Sequence, residues 1–171
     1  MKIVTAIEEF KANSYDVVCF LAGGITKCWN WQDEVIKELA KYNNTEKLVI
    51  CNPRRPNFPI HDPNASDAQI RWEFKWLERC DIFSMYFSES ESVQPICMYE
   101  LGRNLFRMQI MYPGTYKDRI VITCEEGYSR IQDVKIQSKL ALGFDALTHD
   151  PSAKAHAKRI IDCYTNVAFI K

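Results

Sequence analysis

The chain has 171 residues, enough for one domain with a real core. Apolar residues make up 47% and charged residues 26%, an ordinary globular balance. Lys+Arg and Asp+Glu are both 22, so the formal charge is zero. With no basic stripe and no basic amphipathic helix, nucleic acid and a membrane surface are disfavoured as partners, and a small molecule or a protein is expected.

The longest apolar runs, such as Val17 to Ala22, are strand-sized and fall well short of the roughly 18 residues of a membrane span. Acids at Glu8 and Glu9, with no signal-peptide pattern, lead to the expectation of a cytoplasmic protein. The seven cysteines form no C-x-x-C pair. Their positions in apolar runs predict buried free thiols in a reducing compartment. His61, His149 and His156 do not flank them at ligand spacing, so neither a metal nor a cofactor is expected.

In chain order, Ile3-Val4 reads as a short edge strand. Val17 to Ala22 is a continuous apolar run without alternation, as in a parallel-sheet strand buried on both faces, and it ends at Gly23-Gly24. Two glycines there let the backbone turn sharply and let a ligand approach it. Asn30 caps the next helix, whose first turn holds Asp33 and Glu34 and whose buried stripe is Val35, Ile36, Leu39 and Ala40. Lys47 to Cys51 is the second strand, which completes a βαβ unit.

Asn52 to Ser66 is a long loop carrying Pro53, Pro56, Pro59, Pro63 and the pair Arg54-Arg55. Its length suggests either a solvated loop or a wall over a site at the carboxyl end of the sheet. Asp67 to Arg79 reads as a helix capped by Ser66 or Asp67. Ile70, Phe74 and Leu77 form one apolar stripe on it, Trp72 and Trp76 another, and Glu73 lies between them. Asp81 to Phe87 is the third strand, with Asp81 satisfying local backbone groups at its mouth.

Pro95 opens a helix that runs to Met111, ended by Pro113-Gly114. Its core stripe is Cys97, Leu101, Leu105 and Met108, while Ile96, Glu100, Arg103 and Arg107 lie on another face. Arg119 to Cys124 is the fourth strand, and Val134 to Gln137 reads as a short fifth. Asp150 and Pro151 begin the last helix, with Ala157, Ile160, Ile161 and Tyr164 buried. The alternation predicts one α/β domain over residues 1–171: a doubly wound, Rossmann/flavodoxin-like, mostly parallel five-stranded sheet flanked by helices.

In such a sheet ligands sit outside the carboxyl ends of the strands. The Gly23-Gly24 turn, the loop from Asn52 and the turn from Glu89 converge there. No G-x-G-x-x-G or G-K-[ST] pattern is present, which disfavours dinucleotides and nucleoside triphosphates. Glu100 stands in an apolar segment. Spacing favours an outward carboxylate paired with Arg103 or Arg107. The alternative is a cleft carboxylate near a helix N-terminus, where the dipole would help keep it ionised as a nucleophile requires. Glu73 has the same two readings, with Lys75 or Arg71 as surface partners. Two carboxylates at one site suit glycosyl transfer through a covalent intermediate. Trp29 and Trp31 suit either base stacking or packing against the first helix, and the two arginines suit a phosphate.

The ordered set Phe20-Leu21-Ala22-Gly23-Gly24-Ile25, Asn52-Pro53-Arg54-Arg55, Gln69-Ile70-Arg71-Trp72-Glu73 with Leu77 and Asp81, and Tyr99-Glu100-Leu101-Gly102-Arg103 resembles the nucleoside 2-deoxyribosyltransferase superfamily, in its nucleoside 2-deoxyribosyltransferase-like branch. The resemblance spans about residues 15 to 137, and deoxynucleotide N-hydrolases share the Tyr-Glu-Leu-Gly-Arg ending. It implies Glu100 as nucleophile and Glu73 as the assisting acid. It also implies a nucleoside pocket lined by Gly23 and Gly24, with Phe20 where other members carry a Tyr. Asn52, Gln69 and Trp31 are implied as further substrate contacts. Glu89, Glu91, Ser92 and Gln94 compete for the place of a second acid in the loop before the nucleophile helix. Asp133 falls near an Asn that members borrow from a neighbouring subunit. The expected partners are therefore a small-molecule nucleoside or nucleotide, a free nucleobase and further copies of the chain that share active sites. The expected activity is base exchange on 2-deoxyribonucleosides. A deoxynucleotide N-glycoside hydrolase and a non-catalytic nucleotide-binding module are the alternatives.

Overall fold

The structure is a computed structural model that describes residues 1–59, 61–62 and 64–170; Pro63, one of the loop prolines, lies outside the described residues. The elements follow in the order β1 (Lys2–Thr5), β2 (Val17–Gly23), α1 (Trp31–Leu39), β3 (Leu48–Asn52), α2 (Ala65–Leu77), β4 (Ile82–Phe87), α3 (Pro95–Met111), β5 (Ile120–Cys124), α4 (Ile131–Leu142) and α5 (Ala153–Ile170). All strand pairs are parallel, in the spatial order β1-β3-β2-β4-β5. The fold is the expected doubly wound α/β sheet, with Ile3-Val4 inside the edge strand β1.

The unalternating apolar runs are explained by burial on both faces. Along β2, Val18, Phe20 and Ala22 enter one core with Trp72, Trp76, Leu101 and Leu105. Val17, Cys19 and Leu21 enter the other with Val35, Leu39, Ala157 and Ile160. Helices α2, α3 and α4 therefore cover one face, and α1 and α5 the other. The crossover through α1 runs from β2 to one side, and the next, through α2, returns to the other side of β2. Crossovers of one hand in opposite directions put α1 and α2 on opposite faces and open a crevice between the carboxyl ends of β2 and β4. At the opposite end of the sheet, the Asp81 carboxylate accepts the Val18 N–H at 2.9 Å, which ties β4 to β2.

Helix α3 has the expected bounds, with Pro95 at its start and Cys97, Leu101, Leu105 and Met108 buried. Other expectations are corrected. Residues Val134 to Gln137 are not a strand but part of α4, where Val134, Ser138 and Leu142 face inward at four-residue spacing and Gly143 ends the helix at φ +75°. In α2 the buried face is that of Trp72, Trp76 and Leu77, so Ile70 and Phe74 are solvent-facing. That helix begins at Ala65 after Asn64, not at a Ser66 or Asp67 cap. In α1, Trp31 and Gln32 join Val35 and Leu39 inside, and Ala40 is exposed beyond the helix end. Helix α5 begins at Ala153, two residues later than expected. The Asp150 carboxylate takes the Ser152 N–H, and Ser152 Oγ takes the Ala155 N–H, so Ser152 does the capping.

Candidate active site

At the β2–β4 crevice lies a cavity of about 320 Å³. Its floor is Phe20, Ala22 and Gly23 from the end of β2. One wall is the turn Gly24-Ile25-Thr26. The other sides are Pro53, Glu73 of α2, and Ser92, Gln94, Pro95, Ile96, Cys97 and Glu100 at the start of α3. Gly23 is required where it stands. Its φ is +150°, and a Cβ would run into the Tyr86 carbonyl and lie 2.6 Å from the Trp31 ring. A Cβ at Gly24 would come within 2.5 Å of both Cys28 Sγ and Gln94 Oε1.

Both acids face this cavity, and neither takes the surface partner that spacing allowed. Arg103 pairs with Glu78, and Arg107 donates to the Glu78 and Cys80 carbonyls, so among the described residues Glu100 has no ion pair. Arg71 pairs with Asp67 and Lys75 with Glu9, so among the described residues Glu73 likewise has no ion pair. Glu73 Oε1 instead accepts the Gln69 amide at 2.8 Å. Burial first, and the neighbouring Glu73 charge second, push the Glu100 carboxyl up to about 7, against a smaller opposing pull from Arg103. Burial raises Glu73 as well, and its hydrogen bond from Gln69 opposes the rise. The expectation that the α3 dipole keeps Glu100 ionised is therefore corrected. Glu100 is the sixth residue of α3, beyond the first turn over which the dipole acts, and desolvation wins.

The other anticipated residues divide. Phe20, Gly23, Gly24, Ser92 and Gln94 line the cavity. Gln94 holds the corner before α3. Its φ is +47°, its side chain is 4% exposed, and its amide donates to the Ser88 carbonyl at 2.7 Å. Its Oε1 is buried and has no hydrogen-bond partner among the described residues. Gln69 does not line the cavity but touches it through Glu73 and through the Pro53 carbonyl. Trp31 does not line it either. The ring is fully buried, stacks on Tyr86 at 4.8 Å and donates its Nε1–H to the Gly24 carbonyl, which removes it as a base platform. Asn52 ends β3 and is not among the lining residues, though Pro53 beside it is, and its Oδ1 accepts the Arg54 N–H. Asp133 lies in α4, paired with Arg130, and is not among the lining residues. Of the competing acids, Glu91 is exposed and paired with Lys27, and the Glu89 carboxylate packs against Gly127. Tyr99 is exposed.

Two residues that hold the site are invisible in the sequence because their partners are distant. Arg54, a candidate phosphate ligand, turns its guanidinium onto the backbone of the 24–29 turn. Glu125, just after β5, accepts the Trp29 indole N–H, the Tyr86 hydroxyl and the Glu89 N–H, and so joins the loops after β2 and β4. No lining residue is Lys, Arg or His. Among the described residues no helix is long and apolar enough to cross a membrane, and no group of three or more His, Cys, Asp or Glu side chains gathers as a metal site.

The sequence profile described as nucleoside 2-deoxyribosyltransferase like matches residues 16–128, which hold β2 to β5 and both acids. No curated protein matches the chain at a significant level. The chain belongs to the nucleoside 2-deoxyribosyltransferase-like family.

Proposed function

We propose that the chain is a glycosyltransferase that exchanges nucleobases on 2-deoxyribonucleosides through a covalent glycosyl intermediate on Glu100. The observation that carries this is the pair of carboxylates, Glu73 and Glu100, in one cavity, neither in an ion pair among the described residues and both raised by burial. Such a pair can act as nucleophile and acid when it carries one proton. With that proton on Glu73, a Glu100 oxygen attacks the anomeric carbon. The carbon–nitrogen bond breaks, and the departing base takes the Glu73 proton. An incoming base then gives its N–H proton to Glu73 as its nitrogen attacks the same carbon, and Glu100 leaves as carboxylate. The transition state of each half is oxocarbenium-like, and two acidic side chains suit that developing positive charge.

The lining also favours a nucleoside over a nucleotide. A phosphate would meet no lysine, arginine or histidine there, and would meet two acids. Incubation with several 2-deoxynucleosides and free adenine, read by mass, tests the activity. Exchanged nucleoside that forms only with acceptor base is the expected product. Free sugar or sugar phosphate formed regardless of acceptor would replace this reading with hydrolysis. Ligand binding without turnover would replace it with a non-catalytic module.

We further propose that copies of the chain associate through α3. This helix is apolar on two sides. Beyond its core stripe, Ile96, Tyr99, Phe106 and Ile110 are exposed at coiled-coil-like spacing, and Ile70 and Phe74 of α2 are exposed as well. Ile96 also lines the cavity, so a second copy seated there would close its open side. Sedimentation at micromolar concentration should give a dimer or larger, and Phe106→Glu should release monomer. A wild-type monomer would rule this out.

A further inference from the structure

We infer that Arg54 is a positioning residue: by gathering the carbonyls of residues 24–29 it sets the cavity wall formed by Gly24, Ile25 and Thr26. Its Nη2 donates to the carbonyls of Ile25 and Trp29 at 3.1 Å, of Cys28 at 3.2 Å and of Gly24 at 3.4 Å. Its Nε donates to Gln32 Oε1 at 2.9 Å, and Gln32 is fully buried in the first turn of α1. Asn52 Oδ1 accepts the Arg54 backbone N–H at 3.0 Å, which fixes where the side chain starts. Among the described residues Arg54 forms no ion pair, so its guanidinium is met by four peptide oxygens and the Gln32 amide oxygen.

The turn needs such a hold. Lys27 sits at φ +60°, a left-handed conformation that costs a non-glycine residue free energy. The four carbonyls converge on Nη2 while Nε is held by Gln32, and a planar guanidinium serves those two directions at once where an ammonium, a single point, does not. With those carbonyls drawn onto Arg54, the turn lies as one side of the cavity that also holds Glu100. The Asn-Pro-Arg-Arg segment thus acts on substrate through the backbone of another loop and not through contact with a phosphate. Its consequence for substrate affinity rests on the base-exchange reading. Its consequence for the turn does not.

The test uses Arg54→Gln and Arg54→Lys in the full chain. Hydrogen exchange, followed by mass spectrometry, reports on the turn without reference to activity. Exchange in the 24–30 segment should speed up about tenfold in Arg54→Gln, while that of the β3 segment stays unchanged. In base exchange, KM should rise about tenfold with kcat within about threefold of wild type, the mark of lost substrate placement and not of lost chemistry. Millimolar guanidinium should lower that KM again and leave the wild-type value unmoved. Arg54→Lys should fall between the two, and it decides the matter if Arg54→Gln does not fold. Unchanged exchange in the 24–30 segment overturns the inference whether or not the chain exchanges bases. A loss in kcat at constant KM, or a wild-type KM in Arg54→Lys, also overturns it. None of these results bears on Glu100 as nucleophile.

Discussion

Two polar clusters lie on opposite faces of the same sheet, and they are built by opposite rules. Under α5, His156 is fully buried, with Nε2 2.6 Å from Ser84 Oγ and Nδ1 2.8 Å from Thr123 Oγ1, which in turn is 2.7 Å from Thr148 Oγ1. The imidazole needs one donor and one acceptor, and the hydroxyls on either side supply both. Trp31 and Tyr86 pack edge-on against the ring, and burial pushes its pKa down to about 3, so it is a neutral structural residue. Under α2 and α3, Gln94 is buried and Glu73 and Glu100 are half-buried, yet of the two acids only Glu73 has its carboxylate hydrogen-bonded by a neighbouring side chain, and Gln94 Oε1 has no partner, among the described residues. The first cluster is closed. The second leaves its polar groups facing a cavity, where a substrate can take up the missing partnerships.

The sharpest way to break this comparison is to neutralise one group on each side. Glu100→Gln should cut base exchange by at least about 10³-fold while leaving the protein folded, because it removes a nucleophile and a buried charge together. A thermal melt no lower than wild type, beside lost turnover in an exchange assay, is the expected pair of results. His156→Ala should do the reverse. It strands the buried Ser84 hydroxyl, takes one of two partners from Thr123 and opens a cavity, so urea unfolding should show a loss of about 3 kcal/mol, with exchange activity retained in the folded fraction.

The two clusters also titrate with opposite sign. His156 has a folded pKa of about 3 against an ordinary 6.5, so its contribution to stability is present above 6.5 and is lost as pH falls towards 3. Glu100 has a folded pKa of about 7 against an ordinary 4.5, so the folded state binds the extra proton and stability is lost as pH rises from 4.5 towards 7. Urea unfolding between pH 4 and 7 should therefore rise more steeply with pH in Glu100→Gln than in wild type, and should lose its ascending part in the His156 variant. Matching profiles in all three proteins would remove the distinction between the clusters.

Glu73→Gln gives the smallest effect. It deletes the shared proton and the repulsion, so exchange should fall about 10- to 100-fold. With Glu73 gone the Glu100 pKa drops, and a two-sided pH–rate profile should become a single limb that rises with pH. A profile that kept both sides would show that Glu73 is not the second titrating group.

Much of the fold was legible because burial on both faces leaves an unbroken apolar run. Val17 to Ala22 and Lys47 to Cys51 have that form, and Pro95 marks the start of α3. Residues Val134 to Gln137 alternate apolar and polar as a strand would, yet the four-residue spacing of Val134, Ser138 and Leu142 is what packs. In α2 two apolar stripes compete, and only the tertiary neighbours decide that Trp72 and Trp76 go inward while Ile70 and Phe74 do not. For the site, local spacing placed both acids beside arginines or lysines. The structure sends those cations to Glu78, Asp67 and Glu9 instead. Arg54 and Glu125 were out of reach for the same reason: their hydrogen bonds span 22 to 30 residues for Arg54 and 36 to 96 for Glu125.

The central claim is that Glu100 carries the sugar. Incubation with a 2-deoxy-2-fluoro nucleoside, whose fluorine slows breakdown of a glycosyl ester, followed by intact mass and peptide mapping, tests it most directly. The predicted result is one fluorosugar added to the peptide holding Glu100, absent from Glu100→Gln and discharged by an added nucleobase. Base exchange by Glu100→Gln, or a sugar adduct on any other residue, would contradict it.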